Sequence, residues 1–169
     1  MNSKPRIEKL HRSHNVDSFD CGQQDLNRFL ARFALVGQQS GSSNTFVALV
    51  DEEVVGYYTL VSGQVQYENA PERLRKGLAH HPVPMMILAR LAVDKSWQRK
   101  GLGTGMLKDA VLRTLQAIEI ASNFRGILVH AKDDDVRRFY ERFDFLPSPS
   151  DPLHMMVLLK DLRKALGIN

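Results

Sequence analysis

One cysteine, Cys21, is present in 169 residues. A single thiol closes no internal disulfide and supplies no thiolate zinc site. None of the six histidines stands at the spacing of a helical metal pair, so no metal is expected. No apolar run nears the roughly 18 residues of a membrane span. The longest, Val83 to Val93, is broken by Arg90. The start, Met1-Asn2-Ser3-Lys4-Pro5-Arg6, is polar and has no apolar signal region. Charged residues are 25% and apolar residues 43%, which excludes wholesale disorder. These absences leave a soluble, cytoplasmic protein with no membrane partner, folded as one domain over residues 1–169.

Basic residues outnumber acidic ones, 23 to 19, for a formal charge of +4 and a sequence pI near 9.3. That balance permits a polyanionic partner. Strand patterns occur at Ile7 to His11, Thr45 to Val50, Val54 to Val61, Met85 to Val93, Gly126 to Ala131 and Leu153 to Leu159. Asp51-Glu52-Glu53 turns the second of these into the third, predicting a hairpin. Leu26, Phe29, Leu30 and Phe33 form the stripe of a short helix, and Asp20 with Gln23 before it resembles a capping box. A long amphipathic helix is predicted from Gly101 to about Ala121, and a short one carries Val136, Phe139, Tyr140 and Phe143. Phe139 is expected in the core. Gly37 to Asn44 and Asn69 to Pro84 read as loops. The order is β-α-β-β-loop-β-α-β-α-β, an α+β chain.

The most informative segment lies between the Met85–Val93 strand and the long helix. It reads Asp94-Lys95-Ser96-Trp97-Gln98-Arg99-Lys100-Gly101-Leu102-Gly103-Thr104-Gly105. Glycines let a backbone approach a phosphate closely. The unpaired N–H groups of a helix start point at it, and Arg99 and Lys100 add full charges. The P-loop pattern is excluded because no Gly-Lys-Ser/Thr occurs, and the Rossmann pattern fails at Met106. The fit is to Gln/Arg-x-x-Gly-x-Gly/Ala, met by Gln98 to Gly103. Glycines at a helix start also serve close packing, and the loop alone does not separate the two readings.

A second pattern follows the fifth strand. His130 to Phe145 contains Ala131, Asp133 and the pair Phe139-Tyr140. With the loop and the element order, it resembles the GNAT acetyltransferases over roughly residues 7–160. The resemblance implies the GNAT fold, a mixed central sheet flanked by helices, with two splayed parallel strands at an acetyl-CoA site. It implies that Gln98, Arg99, Lys100, Gly101, Leu102, Gly103, Thr104 and Gly105 hold the coenzyme A pyrophosphate. Leu91, Ala92 and Val93 would form a bulge whose backbone holds the thioester carbonyl, and Asp133 would touch the pantetheine arm. Tyr140 would donate a proton to the departing thiolate, chemistry suited to a phenol that stays protonated at neutral pH. Two positions depart from the family pattern: Asp133 replaces Asn, and Asp144 replaces Gly. Asp caps a helix well and tolerates a left-handed backbone.

A narrower likeness rests on Phe19-Asp20-Cys21-Gly22-Gln23-Gln24-Asp25-Leu26-Asn27-Arg28-Phe29-Leu30, Gly56-Tyr57-Tyr58-Thr59-Leu60 and Arg90-Leu91-Ala92-Val93-Asp94-Lys95. These resemble the tRNA-acetylating toxins of type II toxin–antitoxin modules. The resemblance implies acetylation of the α-amine of aminoacyl-tRNA and a translation block. It also implies a homodimer, a neutralising ribbon-helix-helix antitoxin, and DNA bound only through the antitoxin complex to repress the operon. An α-amine beside an ester is weakly basic and needs little general-base help. His130 is the one candidate base. Arg73, Arg75, Lys76 and Arg90 are candidates for the RNA backbone, with Arg28, Arg32, Arg137 and Arg138 behind them and His80-His81 near the densest cluster. Arg90, set in an apolar strand, needs a partner. Cys21 reads as a small buried residue rather than a nucleophile. Two rivals remain at this point: a GNAT acting on a protein N-terminus, lysine or small amine, and a non-catalytic module of a DNA-bound complex.

Overall fold

The protein's structure is a computed structural model that describes residues 4–168. Residues 1–3 of the polar start lie outside the described residues. The strands are β1 (Arg6–Lys9), β2 (Asn44–Val50), β3 (Glu53–Val65), β4 (Val83–Val93), β5 (Gly126–His130), β6 (Leu146–Pro147) and β7 (His154–Leu158). Their hydrogen-bonded order is β1-β2-β3-β4-β5-β7-β6. β1, β2 and β3 pair antiparallel, as do β5, β7 and β6, whereas β4 and β5 are parallel. The mixed central sheet that the resemblance implies is present. The helices are α1 (Gln24–Arg28), α2 (Ala34–Gln39), α3 (Glu72–Arg75), α4 (Leu102–Ile120), α5 (Asp134–Glu141) and α6 (Leu159–Ala165). Among the described residues, no helix is long and apolar enough to cross a membrane.

Two compact units interleave along the chain. The first contains residues up to Val61 together with Ala89–Ala110. Its core joins Leu30 and Ala34 to Val47, Leu49, Val54, Tyr57 and Ala92. The β2–β3 hairpin turns on Asp51 and Glu52, both left-handed (φ 50° and 67°), as a two-residue turn matched to strand twist requires. Leu102, Met106, Leu107 and Ala110 are buried, giving the predicted stripe at the start of α4. Gly56 on β3 is what lets α4 approach. A Cβ there would sit 3.0 Å from the Met106 side chain and 3.1 Å from Leu102.

Three expectations in this unit need correction. Asp20 and Gln23 form no capping box: Gln23 stands at the α1 N-cap and its side chain makes no cap bond. Gly22, left-handed at φ 92°, turns the chain, and Asp20 accepts instead from the Gly22 N–H and Asn27 Nδ2. The short helix is irregular, passing through a π-type segment at Phe29–Phe33 before α2. That helix runs on to Gln39, so Gly37 to Gln39 are helical rather than loop. Gln38 anchors this extension, its amide bonding Leu10 O (2.6 Å) and the Thr45 N–H (3.0 Å).

The second unit contains Ser62–Leu88 and the chain from Val111 onward. Val65, Ala70, Leu74, Val83, Met85, Leu128, Met156 and Leu158 form its core. The predicted loop from Asn69 to Pro84 contains the one-turn helix α3, anchored by fully buried Leu74. A single turn is too short to show periodicity. The parallel β4–β5 ladder spans only Met85–Ile87 against Gly126–Leu128, while β4 runs on to Val93 and β5 to His130. α5 begins as expected at Asp133, whose side chain accepts from the Val136 N–H at 3.0 Å. Asp144 is left-handed at φ 67°, the conformation its glycine-like place required.

Candidate active site

The first unit carries the glycine-rich loop. Asp94, directly after β4, organises its entry. The carboxylate accepts from the Ser96 N–H (3.0 Å), the Ser96 hydroxyl (2.8 Å) and the Asp20 N–H (3.0 Å). The Lys95 ammonium lies 3.4 Å from Asp20. Gln98 turns inward, its amide donating to Cys21 O and Val93 O, both at 2.9 Å. The Gln98 side chain therefore fastens the loop, and Arg99, Lys100 and Gly101 beyond it are exposed. Arg99 and Gly101 are both left-handed, at φ 65° and 85°. Left-handed residues at alternate positions turn backbone N–H groups inward as an anion-binding nest. Arg99 stays exposed, and Lys100 places its ammonium 5.1 Å from the Trp97 ring centre. In α4 the Gly105 N–H bonds Gly101 O at 3.0 Å. Among the described residues, no chain group accepts from the N–H of Leu102, Gly103 or Thr104. These are the orphan donors that an anion satisfies.

Burial pushes the Asp94 carboxyl up. The hydrogen bonds from Asp20 and Ser96 outweigh it and hold the group below its usual range. A carboxylate depressed in the folded state stabilises fully above its unfolded value near 4 and loses that contribution as pH falls through the lower folded value. We expect Asp94→Asn to flatten the acid limb of thermal stability below about pH 4. Melting temperatures from pH 7 to pH 3 check it. Equal acid slopes for wild type and variant would remove the assignment.

The second unit carries Tyr140 on α5. Its ring is buried, 5% exposed, with Phe139 edge-on at 5.1 Å and Phe145 tilted at 5.0 Å. Phe139 itself is only half-buried, a correction to its expected core place. The helix turns only so much of its surface inward, and the ring beside Tyr140 lies at that edge. Among the described residues, no group hydrogen-bonds the Tyr140 hydroxyl, and no fully buried side-chain polar atom lacks a partner. Desolvation holds the Tyr140 pKa above the ordinary tyrosine value, so the hydroxyl remains a proton donor.

The basic candidates separate. Arg73 is forked onto Asp161 (Nε 3.0 Å, Nη2 2.9 Å) and is committed to the fold. Arg137 pairs with Asp134 and Glu141, and Arg138 with Asp135. Arg28 lies 3.9 Å from Asp25. Arg32, Arg75 and Lys76 have no ion pair among the described residues. The partner that Arg90 needs is an aromatic face: its guanidinium lies 3.7 Å from the centre of the Phe29 ring, itself stacked on Tyr57. His130 is exposed, stacks on His154 across the β5–β7 pair at 5.4 Å, and stands 3.9 Å from Asp151. Cys21 is buried, and burial pushes its thiol up, away from a reactive thiolate. No group of His, Cys, Asp and Glu among the described residues is arranged to hold a metal.

Sequence reasoning missed the part that Asp94 plays in shaping the loop. The Asp-x-Ser spacing, which makes a local side-chain-to-backbone turn, was the available signal. Nothing in the sequence marked Arg99 as left-handed.

Residues 41–147 match the Acetyltransferase (GNAT) domain family. The chain belongs to the GNAT acetyltransferases. It is an N-acetyltransferase by that membership. It is 44% identical over 165 residues to the "tRNA-acetylating toxin" of Mycobacterium tuberculosis, covering 98% of this chain and 97% of that protein. Among solved structures, AtaT complexed with acetyl-methionyl-tRNAfMet superposes with TM-score 0.85 at 23% identity, covering 95% and 98% of the two chains. A tyrosine-to-phenylalanine mutant of KacT gives TM-score 0.84 at 24% identity, covering 95% and 98%. Structures of AtaTR bound with AcCoA (TM-score 0.79) and of an AtaT-AtaR complex bound to DNA (TM-score 0.74) share this fold. At these identities the structural likeness establishes the fold. The loop from Gln98 to Gly105 and the start of α5 through Tyr140 both lie within the matched residues.

Proposed function

We propose that this GNAT acetyltransferase is a toxin that acetylates the α-amine of aminoacyl-tRNA from acetyl-CoA and so blocks translation. The observation that carries the reading is the 44% identity, over nearly the whole length of both chains, to a tRNA-acetylating toxin. The residues present fit the coenzyme. The orphan N–H groups of Leu102, Gly103 and Thr104, the nest at Arg99 and Gly101, and the charges of Arg99 and Lys100 suit a pyrophosphate. Asp133 is assigned to the pantetheine arm through its place at the α5 start, and Gln98 acts by fastening the loop.

The bound thioester supplies an activated acetyl carbonyl. The neutral amine attacks it directly; the C–N bond forms and the C–S bond breaks. Backbone N–H groups of Leu91, Ala92 and Val93 hold the carbonyl oxygen as it gains charge. The Tyr140 hydroxyl donates a hydrogen bond to the sulfur as it departs as thiolate, and the attacking amine loses its proton to solvent. No general base is assigned, because an α-amine beside an ester is largely neutral near pH 8. Arg75, Lys76 and Arg90 are assigned to the RNA. A homodimer and a neutralising ribbon-helix-helix antitoxin, through which the protein reaches DNA and represses its operon, complete the reading. The AtaT neighbours bound to their antitoxin support the partnership.

The experiment is transfer of labelled acetyl from acetyl-CoA to a pool of charged tRNA, with lysine peptides and free amines beside it. Label on the amino acid of one or a few tRNAs is the expected result. Label on the peptides alone would replace the substrate.

A further inference from the structure

The second unit holds an aromatic and cationic stack for which the acetyl-transfer chemistry has no use. Tyr67 begins a tight turn, Tyr67–Asn69, directly after β3. The His80 ring lies over it at 4.1 Å with 25° between planes, and the Arg75 guanidinium lies 5.5 Å from its centre. All three lie on the one segment between β3 and β4, and its folding around α3 stacks them. The turn is held firmly: the Ser148 hydroxyl donates to Asn69 O at 2.6 Å, and Ser150 to Asn69 Oδ1 at 3.0 Å. His80 and Lys76 are exposed, while Tyr67 and Arg75 are half-buried. Arg75 and Lys76 pair with no carboxylate among the described residues, Glu68 and Glu72 included.

A rigid flat ring, a second exposed ring stacked on it and two unneutralised cations are the elements that hold an unpaired base of single-stranded RNA. The rings and guanidinium take the base face, and the cations take the flanking phosphates. A duplex would offer no free base face. We propose that His80, stacked on Tyr67 and backed by Arg75, is a platform for one unpaired nucleobase near the 3′ end of the RNA substrate. This rests on the aminoacyl-tRNA reading, since the aminoacylated end of tRNA is single-stranded.

The test uses the full chain and a short single-stranded RNA ending in cytidine-cytidine-2-aminopurine, whose fluorescence is quenched on stacking. Wild type should quench it saturably. His80→Ala and Tyr67→Leu should weaken binding about tenfold each, and Tyr67→Phe, which keeps the ring, should bind as wild type. His80 is exposed, so His80→Ala keeps the fold even if Tyr67→Leu disturbs the turn. In a parallel assay, His80→Ala should lower the ratio of kcat/KM for charged tRNA over that for an amino acid methyl ester about tenfold. No quenching by wild type, or unchanged binding and ratio in His80→Ala, overturns the platform while transfer to charged tRNA keeps the substrate reading. Quenching lost in His80→Ala, with no transfer to any charged tRNA, supports the platform and sinks the substrate reading.

Discussion

Tyr140→Phe is expected to lower kcat by about 10²- to 10⁴-fold, the usual contribution of a positioned proton donor. The melting temperature should move little. The substitution removes one oxygen from a ring that Phe139 and Phe145 hold by packing. No hydrogen bond is lost, because the hydroxyl has no partner among the described residues. Burial raises the phenol's pKa above its ordinary value, so the donor keeps its proton through the alkaline assay range. The same shift makes full transfer to a thiolate of pKa about 8.5 uphill. The hydroxyl therefore acts mainly by a hydrogen bond that strengthens as charge grows on sulfur. Steady-state kinetics of the two proteins, with KM for acetyl-CoA measured separately, decide the matter. A variant with wild-type kcat would end the catalytic assignment, whatever the fate of the substrate reading.

Replacing Arg99 with Gly and Lys100 with Ala together should raise KM for acetyl-CoA about a hundredfold. Each change removes one charged contact to phosphate, worth at least about 1.5 kcal/mol, or roughly tenfold. Stability should move the other way at Arg99. A side chain held in the left-handed region costs about 1–2 kcal/mol, which Gly relieves, while Gly's greater freedom in the unfolded chain returns about 0.5–1 kcal/mol. The net expectation for Arg99→Gly alone is a slight rise in melting temperature with about tenfold weaker acetyl-CoA use. Such opposed effects are the signature of strain kept for function. Calorimetry and acetyl-CoA titration on the same preparation read both. A variant that is destabilised and binds normally would assign Arg99 to the fold alone.

Much of the site is legible in the order of residues along the chain. The Asp133 cap is a contact of three residues' range, and the left-handed Asp144 follows from a place that otherwise takes glycine. The strand, glycine-rich loop and long helix stand in one contiguous stretch, and local propensity and periodicity act at that range. Local signals misled where they were short or ambiguous. Asp20 and Gln23 satisfied a capping pattern that the left-handed Gly22 forbids, and α3 hid inside a proline-bounded loop.

The sequence alone determined the α+β element order and the succession of strand, glycine-rich loop and long helix, because each depends on residues a few positions apart. The tertiary structure decided which cations are free. Arg73 meets Asp161 from 88 residues away, Arg90 finds the ring of Phe29, and Gln98 reaches Cys21 O across 77 residues. It also set the Tyr67–His80–Arg75 stack. The long-range pairings are chosen by which strands become neighbours in the sheet and which helix covers them. Only closing the chain into its core brings such side chains within a few ångströms.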